Sequence, residues 1–149
     1  MKKFILPLLL LTTIINLSCT SYQFFFKDKI TIDELLATKE QIDTAENPAQ
    51  ALLLKNDLAN KVIVINELLV KDIIPSTNVD YDFCVISDYQ SEKGPIEFYI
   101  YTKNLRRISQ LKKGQSLITV QGEFSRFFSM LDNYYTKIEI IKAAIAVKN

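Results

Sequence analysis

The chain has 149 residues, with 18 Lys+Arg against 17 Asp+Glu, no histidine, two cysteines and three glycines. Without histidine, Ser-His-Asp and Cys-His catalysis, histidine zinc sites and a histidine pH switch are excluded. Too few cysteines and glycines remain for a thiolate metal cluster, a P-loop or a dinucleotide fingerprint, so no enzyme activity, metal or cofactor is expected.

The chain begins with basic Met1-Lys2-Lys3 and then the apolar run "FILPLLLLTTII", Phe4 to Ile15. That is the pattern of a secretory signal. The run falls short of the ~20 residues a membrane span needs, and Pro7 argues against a stable spanning helix. The "NLSC" that follows, Asn16 to Cys19, resembles the lipobox of bacterial lipoproteins. The resemblance implies cleavage after Ser18, a mature chain starting at Cys19, and a diacylglyceryl group on the Cys19 sulfur. Asn16 departs from the family's usual Leu, and Leu17 stands one place late. Each buried CH₂ of an acyl chain contributes about 0.8 kcal/mol, so two or three chains hold stably. The protein is therefore expected in the bacterial cell envelope, lipid-anchored to the inner or outer membrane.

Removing residues 1–18 lowers Lys+Arg from 18 to 16 against 17 Asp+Glu, about −1. A nucleic-acid binder usually carries a basic domain, so this balance counts against one. With Cys19 acylated, Cys84 has no intramolecular partner. Within the apolar "YDFCVIS" it is either an inert core residue or an intermolecular or reactive thiol.

Residues 19–30 read as a lipidated tether whose Phe24-Phe25-Phe26 cluster either meets the membrane interface or packs back on the domain. Residues 31–60 read as a helical segment packing on a barrel. In "TIDELLATKEQIDTA", Thr31 and Glu34 form a capping-box pattern, and Ile32, Leu35, Leu36 and Ile42 make one apolar stripe. In "NPAQALLLKNDLANK", Asn47 is the N-cap and Pro48 the first helical residue. Its expected buried side is Ala51, Leu52, Leu54, Leu58 and Ala59.

From Lys61 the pattern becomes β-branched and apolar. Strands are expected in "KVIVINELLVKDI", "YDFCVISD", "IEFYIYTK", "QSLITVQGEF" and "TKIEIIKAAIAV", with a short helix in "NLRRISQL" capped by Asn104. Gly122 marks a bulge or bend. "LKKGQSLITVQGEF", Leu111 to Phe124, resembles the entry into strand four of tRNA-anticodon-like OB domains. "NPAQALLLKNDLANKVIVINELLVKDI" resembles the helix leading into strand one in bacterial members of that group. The first strand there carries a Gly where this chain has Glu67, so a different curvature is expected. The resemblance implies an α+β, mostly β fold: the helical segment followed by a five-stranded OB-fold-like Greek-key barrel over residues 61–149.

Candidate ligand residues follow from charge and aromaticity. Asp80, Asp82, Asp88 and Glu92 read as solvated acids at strand and loop ends, with a hard-cation site as the sharper alternative. Lys103, Arg106, Arg107, Lys112 and Lys113 form a basic run that either contacts phosphates, anionic glycans or lipid headgroups, or is a solvated surface. OB-folds bind across strands two and three, where Tyr99 and Tyr101 share a face. Phe83 and Phe98 are expected in the core, and Tyr89, Tyr134 and Tyr135 are further aromatic positions. The reading is a non-catalytic binding module, first for a protein partner in the envelope. Nucleic acid or oligosaccharide is the alternative, with nucleic acid held unlikely.

Overall fold

Thr31 and Asn47 each have extended backbone dihedrals and aim a side-chain oxygen at the helical turn that follows. The computed structural model describes residues 27–92, 94–128 and 136–148. The expectations for the signal, Cys19, Phe24 to Phe26, Tyr134 and Tyr135 lie outside them. A two-residue strand β1 (Lys29–Ile30) precedes helices α1 (Ile32–Asp43) and α2 (Pro48–Ala59). The Thr31 N–H donates to the Glu34 carboxylate at 2.9 Å, and the Glu34 N–H donates back to Thr31 Oγ1. Asn47 Oδ1 accepts from the Ala49 N–H at 2.9 Å, with Pro48 in the first turn.

α1 buries Ile32, Leu35, Leu36 and Ile42, the expected stripe. α2 buries Leu58 and half-buries Ala51 and Leu54, but Leu52 is 58% and Leu53 70% exposed. The buried side is thus narrower than expected, because α2 meets α1 and the barrel along one edge only. Among the described residues no helix is long and apolar enough to cross a membrane.

The remaining strands are β2 (Val62–Pro75), β3 (Phe83–Ser91), β4 (Gly94–Tyr101), β5 (Leu117–Phe128) and β6 (Thr136–Lys148), with α3 (Leu105–Ile108) between β4 and β5. β2 is long enough to serve two neighbours. Its first half runs antiparallel to β5 from Val62↔Glu123 to Leu69↔Leu117, its second half antiparallel to β3 from Leu69↔Asp88 to Pro75↔Phe83. β3 pairs antiparallel with β4, β4 parallel with β6, and β6 antiparallel with β5. The ring closes as β2-β3-β4-β6-β5-β2. A closed five-stranded Greek-key barrel with a helix between its third and fourth strands is an OB-fold.

The barrel is filled by Ile63, Ile65, Leu68, Val85, Phe98, Ile100, Ile118, Val120, Ile138 and Ile140, all at most 2% exposed. Two devices bend its strands. The β2 register shifts between Ile65 and Leu68, where Glu67 has φ +61°. The left-handed bulge a glycine would favour is kept with a glutamate, which ion-pairs with Lys148. At Gly122 the β5–β6 register also shifts, and an added Cβ would lie 2.5 Å from Ile140 Cγ2 and 3.0 Å from the Ile141 carbonyl oxygen. Only glycine fits there without displacement.

β1 runs parallel to β2, pairing Lys29 with Val62 and Ile30 with Ile63, so the last residues of the expected tether belong to the sheet. Ile30 is 5% exposed. A two-residue strand is too short to leave a periodic signal in sequence.

Candidate functional site

Successive side chains on a strand face opposite ways, and β4 shows the consequence. Ile96, Phe98 and Ile100 point into the barrel, so Glu97, Tyr99 and Tyr101 lie on its outer wall. Register places Cys84, Ile86 and Asp88 of β3 opposite Tyr101, Tyr99 and Glu97 on that wall. On the other flank Lys137 and Glu139 of β6 pair with Glu97 and Tyr99, and beyond them Phe128 and Arg126 of β5 pair with Lys137 and Glu139. Four strands therefore contribute to one continuous outer surface.

The aromatic rings on this surface stand in two contacting pairs. Tyr99 meets Phe128 edge-to-face with centroids 4.7 Å apart. Tyr101 meets Tyr81, from the β2–β3 loop, at 5.5 Å, and the Lys103 ammonium sits 5.8 Å from the Tyr81 ring centre. Tyr81, Tyr99 and Phe128 are half-buried and present ring area outward, whereas Tyr101 is 4% exposed and supports Tyr81 from beneath. The Tyr81 hydroxyl accepts the Lys142 N–H at 3.0 Å, fixing the loop to β6.

Three carboxylates of the barrel's outer surface, Glu97, Glu123 and Glu139, are buried and paired. Glu97 Oε1 accepts the Tyr99 hydroxyl at 2.8 Å, and Glu97 Oε2 accepts Lys71 at 2.7 Å. Lys71 also reaches Asp88 Oδ1 at 3.1 Å. Glu139 is held by Arg126 at 3.0 Å and by the Ser125 hydroxyl at 2.8 Å. Glu123 is held by Lys27 at 2.8 Å and Lys142 at 3.0 Å. Burial pushes the Glu97 carboxyl up, but the hydrogen bonds from Lys71 and Tyr99 outweigh it and hold the group below its ordinary value. Glu123 is likewise held low by Lys27 and Lys142 against its burial. The Glu97 hydrogen bond raises Lys71, and burial followed by the bond to Glu97 raises Tyr99.

Cys84 is 1% exposed, and burial pushes its thiol up to about 11. It lies under the outer wall opposite Tyr101 rather than in the barrel interior, and a protonated buried thiol is a weak nucleophile. Phe98 is fully buried as expected, but Phe83 is 39% exposed: it shares a face with Val85, yet it is the first residue of β3, paired with Pro75 at the end of the ladder with β2. Among the described residues no cluster of acids and cysteine is arranged to hold a metal, and Asp88 is paired with Lys71.

The expected site residues are brought together only in part. Tyr99, Tyr101 and Lys103 share the outer wall at the end of β4. Arg106 and Arg107 are on α3, Arg107 donating to Gln110 at 3.2 Å. Lys112 and Lys113 are in the turn entering β5, and Lys113 ion-pairs with Asp72 at 2.9 Å. Tyr81, Phe128, Lys71 and Arg126 join the site from other segments. Their hydrophobic or charged character is plain in the sequence, but no local pattern ties them to Tyr99.

No protein-family model and no curated protein matches the chain. Among solved structures it is similar to the small single-stranded DNA-binding protein of Streptomyces coelicolor at 16% identity and TM-score 0.39, over 58% of this chain and 93% of that one. It is similar to the Plasmodium falciparum single-stranded DNA-binding protein bound to single-stranded DNA, at 16% and 0.37, over 59% and 94%. It is similar to an OB domain from Thermoplasma acidophilum at 11% and 0.35, over 82% and 88%. These similarities concern the fold. The expectation of a protein partner first, with nucleic acid unlikely, is corrected: two of these solved structures are of single-stranded DNA-binding proteins. The physical reason lies in the charge argument. A net charge near −1 sums the whole chain and not one face: Glu97, Glu123 and Glu139, each at most 8% exposed, are neutralised by adjacent cations, while Lys103, Arg106, Arg107 and Lys112 lie in a stretch, residues 102 to 122, that holds no acid.

Proposed function

We propose that the outer wall of β3, β4 and β6, extended by the basic segment from Lys103 to Lys113, binds single-stranded nucleic acid without catalysis. The observation that carries this reading is the pairing of rings across the wall: Tyr99 with Phe128, and Tyr101 with Tyr81 beneath the Lys103 ammonium. Unpaired bases stack on exposed ring faces for about 1–3 kcal/mol each, and cations beside the rings meet the phosphates. The geometry supplies both, on the face where OB barrels take extended ligands. Glu97 fixes the orientation of Tyr99 while Lys71 cancels its charge, so the ring is held without a naked anion beside it.

Fluorescence anisotropy with a labelled oligothymidylate tests the proposal. Binding is expected to weaken steeply as salt rises, and Tyr99→Ala to weaken it by roughly tenfold, the loss of one stacked base. Neutralising Arg106, Arg107 and Lys112 with glutamine should flatten the salt slope. No binding at low salt defeats the proposal. Binding indifferent to salt also defeats it, because that is the behaviour of a neutral glycan site.

The proposal extends to a lipid anchor at Cys19 that holds this module in the cell envelope. Its support is the "NLSC" sequence after a short apolar run with a basic start. Cys19→Ala is expected to abolish metabolic labelling with palmitate and to leave the precursor uncleaved. Labelling that persists in this variant rules the anchor out.

A further inference from the structure

The acids of the outer wall are not equivalent. Both oxygens of Glu97 are engaged, one by Tyr99 and one by Lys71, and Glu139 is closed off by Arg126 and Ser125. Asp88 differs. Its Oδ1 receives Lys71 at 3.1 Å, yet its side chain is 48% exposed. Register places it opposite Glu97 and one diagonal step from Tyr99, which lies opposite Ile86. Diagonal neighbours across an antiparallel pair stand about 7–8 Å apart, about the reach of a base stacked on one and hydrogen-bonded to the other.

We infer that Asp88, with Lys71 beside it, makes this wall selective for guanine among the bases that stack on Tyr99; the inference rests on the nucleic-acid reading above. In a single strand the Watson–Crick edge is open to side chains. A guanine edge carries the O6 acceptor followed by the N1–H and N2–H donors. The two donors match the two oxygens of one carboxylate, and the O6 acceptor falls toward cationic Lys71. Thymine offers one N–H between two carbonyl oxygens, which a carboxylate repels. Cytosine and adenine each bring an exocyclic amine but place a ring-nitrogen acceptor beside it, against the second carboxylate oxygen. Chemistry alone therefore orders the bases, with guanine first and thymine last.

Competition binding with the full chain in detergent tests this. The probes are an oligothymidylate of about 12 nucleotides, within the usual span of one OB site, and the same strand with guanine, cytosine or adenine at spaced positions. Guanine-containing strands are expected to bind about tenfold tighter than oligothymidylate, the discrimination of one bidentate pair. In Asp88→Asn, whose amide replaces an acceptor by a donor, that ratio should fall to about one. Asp88→Ala should do the same, and thermal melts confirm that both variants fold. Equal binding of all strands, or a guanine preference that survives both variants, overturns the inference and leaves the nucleic-acid reading standing. Failure of every strand to bind at low salt overturns both.

Discussion

Along β4, Ile96, Phe98 and Ile100 line the barrel interior at no more than 1% exposure, while Glu97 on the outer wall is 8% exposed. Both sides of the strand hold buried groups, by different means. The interior is dry because branched and aromatic side chains fill it, and each buried side chain contributes roughly 1.5–3 kcal/mol. On the outer side the glutamates are dry because long cationic side chains lie over them and neutralise them: Lys71 on Glu97, Arg126 on Glu139, and Lys27 and Lys142 on Glu123. Pairing of this kind adds little net stability, since desolvation offsets the attraction, but removing one partner is costly. The interior therefore sets whether the barrel forms, and the outer wall sets what its rings are free to do.

The comparison is sharpened first where the effect is largest. Phe98→Ala empties the centre of the barrel and is expected to cost about 3–5 kcal/mol in denaturant unfolding, with the m-value unchanged. A cost below about 1 kcal/mol would mean that the interior is not the main source of stability.

Glu97→Gln probes the other wall. It keeps the shape but removes the charge that meets Lys71 and Tyr99, for an expected loss of about 1–3 kcal/mol at neutral pH. The folded-state pKa of Glu97 lies below its ordinary 4.5, so its stabilisation is present above pH 4.5 and is lost as pH falls through the depressed value. The gap between Glu97→Gln and the natural chain should therefore close progressively below pH 4.5. A gap that persists undiminished into strong acid would show that packing, not charge, is what Glu97 supplies.

The smallest effect tests a polar flaw of the interior. Ser87 faces inward opposite Phe98, and its buried hydroxyl has no hydrogen-bond partner among the described residues. Ser87→Ala removes an unsatisfied group and is expected to raise stability by up to about 1 kcal/mol in thermal unfolding. A clear loss would place a hydrogen bond at that oxygen.

Local signals made much of the fold legible. The Thr31–Glu34 and Asn47–Pro48 caps read correctly because every group involved lies within three residues. The strands read correctly because β-branched runs alternate with turn chemistry, and Gly122 because a lone glycine in such a run marks a crowded bend. The sequence misleads where a residue's environment is set by a distant segment. Leu52 and Phe83 are apolar yet exposed, since nothing folds over them. Glu67 holds a bulge that glycine would hold more easily, beside Lys148 at the far end of the chain. Tyr99 was identifiable as a candidate, but its neighbours Phe128 and Lys71 were not, because β5 and β2 reach it only through barrel closure.

By itself the sequence determined the order of helices and strands, the absence of histidine chemistry, and the alternation that puts Tyr99 and Tyr101 on one face. These follow from backbone periodicity and from side-chain chemistry, which act at short range. The tertiary structure alone decided which charges cancel and which rings meet. Closing the β2-β3-β4-β6-β5 ring brings residues dozens of positions apart within hydrogen-bond distance, Lys71 and Glu97 among them. Coulombic and stacking energies depend on that separation in space, and a near-neutral composition carries no record of it.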